Sequence, residues 1–210
     1  MNILYWFSSP VQAIFSIGSF YVWCAIELVN TLVIGRRRQG GRRQDRGSYW
    51  GILIVVYGAI ALVFVTRGLR LGVLPTLFQW IGLVLLWAGV LVREWAILSL
   101  GRSFTVVVEV HPQQSLITSG PYRWVRHPAY TGTIITLGGF GLAVGSWVGA
   151  ILAIAIALPA YIYRVRVEEG ALLEALGEEY RNYRRLTGRF FPRVSFENRD
   201  GSESWHQSKR

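Results

Sequence analysis

The chain has 210 residues, of which 52% are hydrophobic and only 16% charged, and its formal net charge is +10. The apolar residues come in runs rather than in alternation, which excludes an ordinary soluble domain and points to a membrane protein. Cys24 is the only cysteine and the three histidines lack ligand spacing, which excludes a disulfide framework and argues against a metal site.

The first residues, "MNILYWFSSP", lack the basic stretch of a cleavable signal peptide, so the first apolar run, 11–34, is expected to stay in place as a membrane span. Six arginines follow between Gly35 and Arg46. Cytoplasmic loops collect such charge, so the N-terminus is expected outside and the end of the first span inside. No aromatic residues are interleaved with these arginines to stack on bases, which argues against nucleic acid and for anionic lipid headgroups. The runs 49–66 and 77–100 give the second and third spans, joined by an outer loop that holds only Arg67 and Arg70. A longer apolar region, 130–163, fits two shorter spans broken near Gly145, Ser146 and Trp147. Within it "GGFGLAVG", 138–145, imitates a nucleotide-binding glycine loop. That loop needs a strand before it, whereas here the glycines lie inside an apolar helix and are expected to let a neighbour approach closely.

Between the third and fourth spans, on the expected cytoplasmic side, lies "SGPYRWVRHPAYTG", 119–132. The last span delivers Arg164 and Glu168 to the same side, four residues apart and so on one helical face. Pro159 removes a backbone bond shortly before them, and a bend is expected there. From 165 to 186 apolar residues recur at helical spacing between Glu and Arg, which predicts an amphipathic helix on the cytoplasmic surface. The tail from 195 to 210 is polar and expected to be disordered. Arg93 and Glu94 read as a mutually neutralising pair near the end of the third span, and Glu27 inside the first span is expected to face the bundle or to be protonated.

The segments "LITSGPYRWVRHPAYTG", 116–132, and "RVRVEEGALLEALGEEYRNYRRLTGRFFP", 164–192, in that order and separated by a helical hairpin, resemble the isoprenylcysteine carboxyl methyltransferases, integral-membrane enzymes related to the phospholipid N-methyltransferases. The resemblance implies an all-α fold of about five transmembrane helices, with a cytosolic amphipathic helix completing a pocket for S-adenosylmethionine. It divides the chain into a three-helix membrane region, 1–100, a methyltransferase core, 101–194, and the tail, 195–210. It implies cofactor contacts at Gln114, Ser115, Leu116, Ile117, Tyr122, His127, Pro128, Ala129, Tyr130 and Glu168, with Arg164 at the substrate and no metal. The acceptor it implies is a lipid-like carboxylate such as a prenylated cysteine, entering from the bilayer of a bacterial inner membrane or an endoplasmic reticulum, with the site facing the cytosol.

These residue types suit that chemistry. S-adenosylmethionine is a sulfonium cation with an adenine ring and an amino-acid end, so its site needs aromatic faces, a carboxylate and directed hydrogen bonds. A carboxylate acceptor is ionised at neutral pH and needs no base, only an oriented cation, for which the planar fork of arginine is suited. Other readings of the same residues are an ordinary ion pair for Arg164 and Glu168, an interfacial aromatic belt for Tyr122, Trp124 and Tyr130, and a helix-end role for His127. A phospholipid or small-amphiphile N-methyltransferase and an NADPH-dependent membrane reductase of the sterol-reductase type, which shares a similar "RHPxYxG" element, are the alternative functions. A non-catalytic membrane scaffold is a third.

Overall fold

The computed structural model describes residues 7, 9–34, 42–43, 48–101, 109–110 and 116–193. The arginine run, apart from the backbone of 42–43, and the polar tail lie outside the described residues.

The chain is built from helices that follow the apolar runs closely. Helix α1, Pro10–Val29, starts where the Ser9 side chain accepts the Gln12 N–H and Pro10 occupies the first turn, and a wider turn, Asn30–Ile34, continues it. Helices α2, Ser48–Gly68, and α3, Thr76–Leu100, match the second and third expected spans. The long fourth region breaks at the expected place. Helix α4, Pro128–Val144, ends at Gly145, whose φ of +91° few other residues adopt, and α5, Trp147–Leu176, begins after Ser146 caps it through Gly149 N–H. By length and composition four helices can cross a membrane: α1 with its continuation, α2, α3 and α5. Helix α4 has 17 residues and falls short of the usual span.

At two places the helices end or continue in ways the sequence did not mark. Helix α5 runs through Pro159 to Leu176 as one helix, so the proline is absorbed within it. The amphipathic stretch 165–186 is not one helix, because Gly177, at φ +52°, ends α5 and starts α6, Glu178–Leu186.

Small residues set the closest packing. A Cβ on Gly139 of α4 would stand 2.3 Å from the Leu86 backbone nitrogen of α3, and Gly82 and Gly89 of α3 lie as tightly against α4. Gly141 closes on Ala150 across the α4–α5 hairpin. The glycine run at 138–145 is therefore a helix-packing surface, as its setting in an apolar helix implies. Gly139→Ala is expected to push α3 and α4 apart and cost about 1–3 kcal/mol, the usual range for overpacking. Gly58→Ala on α2, whose Cβ meets open space, should not, and thermal unfolding in detergent compares the two.

Helix α1 joins α3 differently. Its partners rise in parallel with its own numbering: Gln12 donates to Gln79, Trp87 to Ser19, Arg93 to Glu27 and Asn30 to Glu94. Between these polar ties Phe20, Trp23, Phe64 and Phe140 fill the space, with Phe20 stacked on Phe140 at 5.2 Å. Beyond the ends of α1 and α3, a two-residue strand β1, Arg42–Arg43, pairs antiparallel with β2, Glu109–Val110. The segments that follow the two helices thus meet at one end of the bundle. The helical turn and α6 that shape the site lie at that same end.

Candidate functional site

The site is assembled by two segments about sixty residues apart in sequence. The first begins with a tight turn, Gly120–Arg123, in which Pro121 presets the backbone. Tyr122 from this turn is buried against Ala96 and Leu100 at the end of α3 and Ala129 of α4. Pro128 occupies the first turn of α4, where its missing N–H is no loss, and this sets His127 as the residue before the helix.

The second segment, α6 and the residues after it, docks onto the first mainly through its backbone. The N–H groups of Arg126 and His127 donate to the carbonyls of Gly188 and Arg189 at 2.9 and 3.1 Å, and Gly188 N–H donates to Trp124 at 3.3 Å. Thr131 donates its hydroxyl to the Phe190 carbonyl at 2.8 Å, and Tyr183 donates to the Tyr122 carbonyl at 2.6 Å. The inward stripe of α6, Tyr180 and Tyr183, is buried in this seam. Burial raises the Tyr183 phenol to about 12 and also holds the Tyr122 phenol well above its usual range, with the Glu168 carboxylate adding to the rise at Tyr122. Both phenols stay neutral at physiological pH.

Two consecutive glutamates of α5 do different work. Glu169 is 4% exposed and accepts from Arg126 Nε at 2.9 Å and Arg189 Nη2 at 2.8 Å, while His127 Nε2 stands 3.4 Å away. Arg126 also reaches the carbonyls of Arg184 and Thr187 at the end of α6. Glu168 is more open. It accepts the Tyr130 hydroxyl at 3.0 Å and lies 3.6 Å from His127 Nδ1. Arg164, buried one turn earlier on α5, donates from Nε to the same Tyr130 oxygen at 3.3 Å. The His127 ring stacks on Tyr130 at 5.7 Å with planes 10° apart, and Tyr130 leans on Tyr161 at 5.2 Å.

Tyr122, His127, Pro128, Ala129, Tyr130, Arg164 and Glu168 are thus brought to one end of the bundle. The link between Arg164 and Glu168 passes through Tyr130, which their helical spacing alone does not suggest. Leu116 and Ile117 are half-buried in the irregular chain just before the turn, and Gln114 and Ser115 lie outside the described residues. Sequence reasoning missed Glu169 as an anchor, together with Arg126 and Arg189. All three stand inside the two motif segments, but a pair of neighbouring glutamates does not say which one turns inward. The expectation for Arg93 also changes. Its guanidinium holds Glu27 of α1 by two bonds, at 2.6 and 2.8 Å, and Thr133 of α4 at 3.1 Å, while the adjacent Glu94 accepts from Asn30 instead. Neighbours on a helix diverge by about 100°, so Arg93 and Glu94 serve different partners. Glu27 faces the bundle.

This arrangement offers a partly open carboxylate beside two stacked ring faces, with a buried guanidinium one turn away. It suits a cationic ligand with hydrogen-bonding groups and a second, anionic ligand alongside.

Comparison with known proteins places these residues in context. Residues 80–174 match the model of the isoprenylcysteine carboxyl methyltransferase (ICMT) family. A probable protein-S-isoprenylcysteine O-methyltransferase of Oryza sativa subsp. indica is 33% identical over 107 residues, 50% of this chain and 56% of the relative. The cobalt-zinc-cadmium resistance protein CzcN of Cupriavidus metallidurans is 32% identical over 148 residues, 70% of this chain and 66% of that protein. A solved structure of the eukaryotic intramembrane Ras methyltransferase, isoprenylcysteine carboxyl methyltransferase, superposes with a TM-score of 0.52 and 26% identity, over 67% of this chain and 51% of that one. The chain therefore spans about half the length of the rice relative and of the solved enzyme.

Proposed function

From the match of residues 80–174 to the isoprenylcysteine carboxyl methyltransferase family, we propose that the chain belongs to that family and is an integral-membrane methyltransferase that methylates the carboxylate of a prenylated cysteine or similar amphiphile. The observation that carries this reading is the meeting of Arg164 and Glu168 on the hydroxyl of Tyr130, with His127 stacked behind it. The donor is S-adenosylmethionine, which supplies a methyl group activated by its sulfonium. Residues 101–194 form the methyltransferase core, 1–100 its membrane support and 195–210 a separate tail. The N-terminus lies outside and the core faces the cytosol.

The chain's own residues divide the work. Glu168 accepts from the polar groups of the donor, and its negative charge suits a cationic ligand. The rings of Tyr130 and His127 offer faces to the sulfonium or the adenine. Tyr122, Leu116, Ile117, Pro128 and Ala129 close the wall around them, and Gln114 and Ser115 are proposed as further donor contacts. Arg164 holds the acceptor carboxylate. The acceptor needs no base, so catalysis consists of placing its oxygen on the line of the transferring methyl.

Tyr130→Ala and Glu168→Ala are each expected to weaken S-adenosylmethionine binding about tenfold or more, the equivalent of one charge-assisted hydrogen bond of roughly 1.5 kcal/mol or greater. Isothermal titration of the reconstituted protein measures this, and unchanged affinity in both variants would misplace the cofactor site. The function itself is tested by transfer from methyl-labelled S-adenosylmethionine into a membrane extract. A base-labile labelled lipid supports the carboxylate acceptor. Label stable to base overturns it in favour of an amine, and titratable binding of NADPH instead would point to a reductase.

A further inference from the structure

A surface at the end of α6 is needed neither for the donor nor for the acceptor. Trp124 is exposed, with the Arg123 guanidinium 3.7 Å above its ring and Trp95 edge-on at 6.0 Å. Trp95 lies on α3, five residues before that membrane-length helix ends at Leu100, and is itself half exposed. An indole in the last turns of a spanning helix marks the level where hydrocarbon gives way to headgroups. Trp124 therefore stands at that level.

Residues 186–193 run beside it, because Gly188 N–H donates to the Trp124 carbonyl. Here Leu186 is 75% and Phe191 78% exposed, the highest values among the exposed large hydrophobic side chains of the described residues. Both are flanked by exposed arginines: Arg185 precedes Leu186, and Arg193, which donates to the Arg185 carbonyl, follows Phe191 by two. The inward face of α6 is already filled by Tyr180 and Tyr183, so these groups have no place in the protein interior. Apolar side chains rimmed by guanidinium groups at bilayer depth match one environment, an anionic lipid surface.

We propose that Arg123, Trp124, Arg185, Leu186, Phe191 and Arg193 form a docking surface for anionic lipid headgroups, with Leu186 and Phe191 entering the edge of the acyl layer. The docked segment is the one whose carbonyls at Gly188, Arg189 and Phe190 hold Arg126, His127 and Thr131. Lipid bound there stabilises the seam that supports His127 and so tightens donor binding. That second step rests on the methyltransferase reading; the docking does not.

The test uses the full chain with Cys24→Ser and Phe191→Cys, the new thiol carrying an environment-sensitive dye, in phosphatidylcholine vesicles with and without phosphatidylglycerol. The expected result is quenching by shallow spin-labelled lipid that grows with phosphatidylglycerol and is weakened by salt. Arg185→Glu with Arg193→Glu should abolish the phosphatidylglycerol response, and in the unlabelled parent phosphatidylglycerol should tighten S-adenosylmethionine binding severalfold. Full access of the dye to aqueous iodide with no lipid quenching overturns the docking and leaves the surface to a soluble partner. Quenching indifferent to phosphatidylglycerol overturns the recognition of charge. A normal lipid response in a protein that binds no S-adenosylmethionine in any vesicle supports the docking and overturns the donor reading alone.

Discussion

Arg164→Lys is expected to keep S-adenosylmethionine affinity near that of the parent while turnover falls on the order of 100-fold. Lysine preserves the charge but replaces a planar fork with a single ammonium point. Two consequences follow from the geometry. The bond from Nε to the Tyr130 hydroxyl is lost, and on the proposed function an acceptor carboxylate would be held from one direction instead of two. A displacement of about 1 Å off the transfer line suffices for a loss of that size. Glu168 keeps its own bond from Tyr130, so the donor side of the site is left in place. Steady-state kinetics with titration of the donor separates the two effects. Near-parental turnover would remove the carboxylate clamp and favour an amine or other neutral acceptor.

The second large effect belongs to the neighbouring glutamate. Glu169→Ala leaves Arg126, Arg189 and His127 facing a buried gap where a carboxylate stood, and breaking a buried pair by removing one partner costs about 3–5 kcal/mol. The seam between 122–131 and 183–190 should loosen as a unit, because Arg126 also holds the end of α6. The expected outcome is a large fall in melting temperature in detergent together with loss of donor binding. Glu168→Ala, one residue away and more open, should lose donor affinity with little change in melting. Equal melting of the two variants would show that Glu169 is no anchor.

The contrast between these neighbours marks where sequence reasoning reaches its limit. The spans were legible because the hydrocarbon demands continuous apolar runs, and the break at Gly145 and Ser146 was legible because a left-handed glycine and a capping serine leave a plain sign. Gly177 in "EALGEEY" is the same sign, overlooked because apolar residues continue at helical spacing on both sides of it. The bend expected at Pro159 does not interrupt α5, since a single missing bond is tolerated in a helix held by its neighbours. The two motifs bring Tyr122, His127, Tyr130, Arg164 and Glu168 to one end of the bundle, but their pairing was not legible in the sequence. The choice of Glu27 over Glu94 by Arg93, and the inward turn of Glu169, depend on helix rotation, which apolar runs on all sides of a membrane helix do not record.

The polar ties between α1 and α3 also impose an order on the making of the protein. Glu27 is synthesised 66 residues before Arg93, and the whole of α2 emerges between them. Until Arg93 emerges, the Glu27 carboxylate, near the end of α1, lacks the guanidinium that neutralises it. Gln12, Ser19 and Asn30 wait on the same later helix for their partners. Helix α1 therefore gains these polar partners only after α3 has been made, with all of α2 inserted between them.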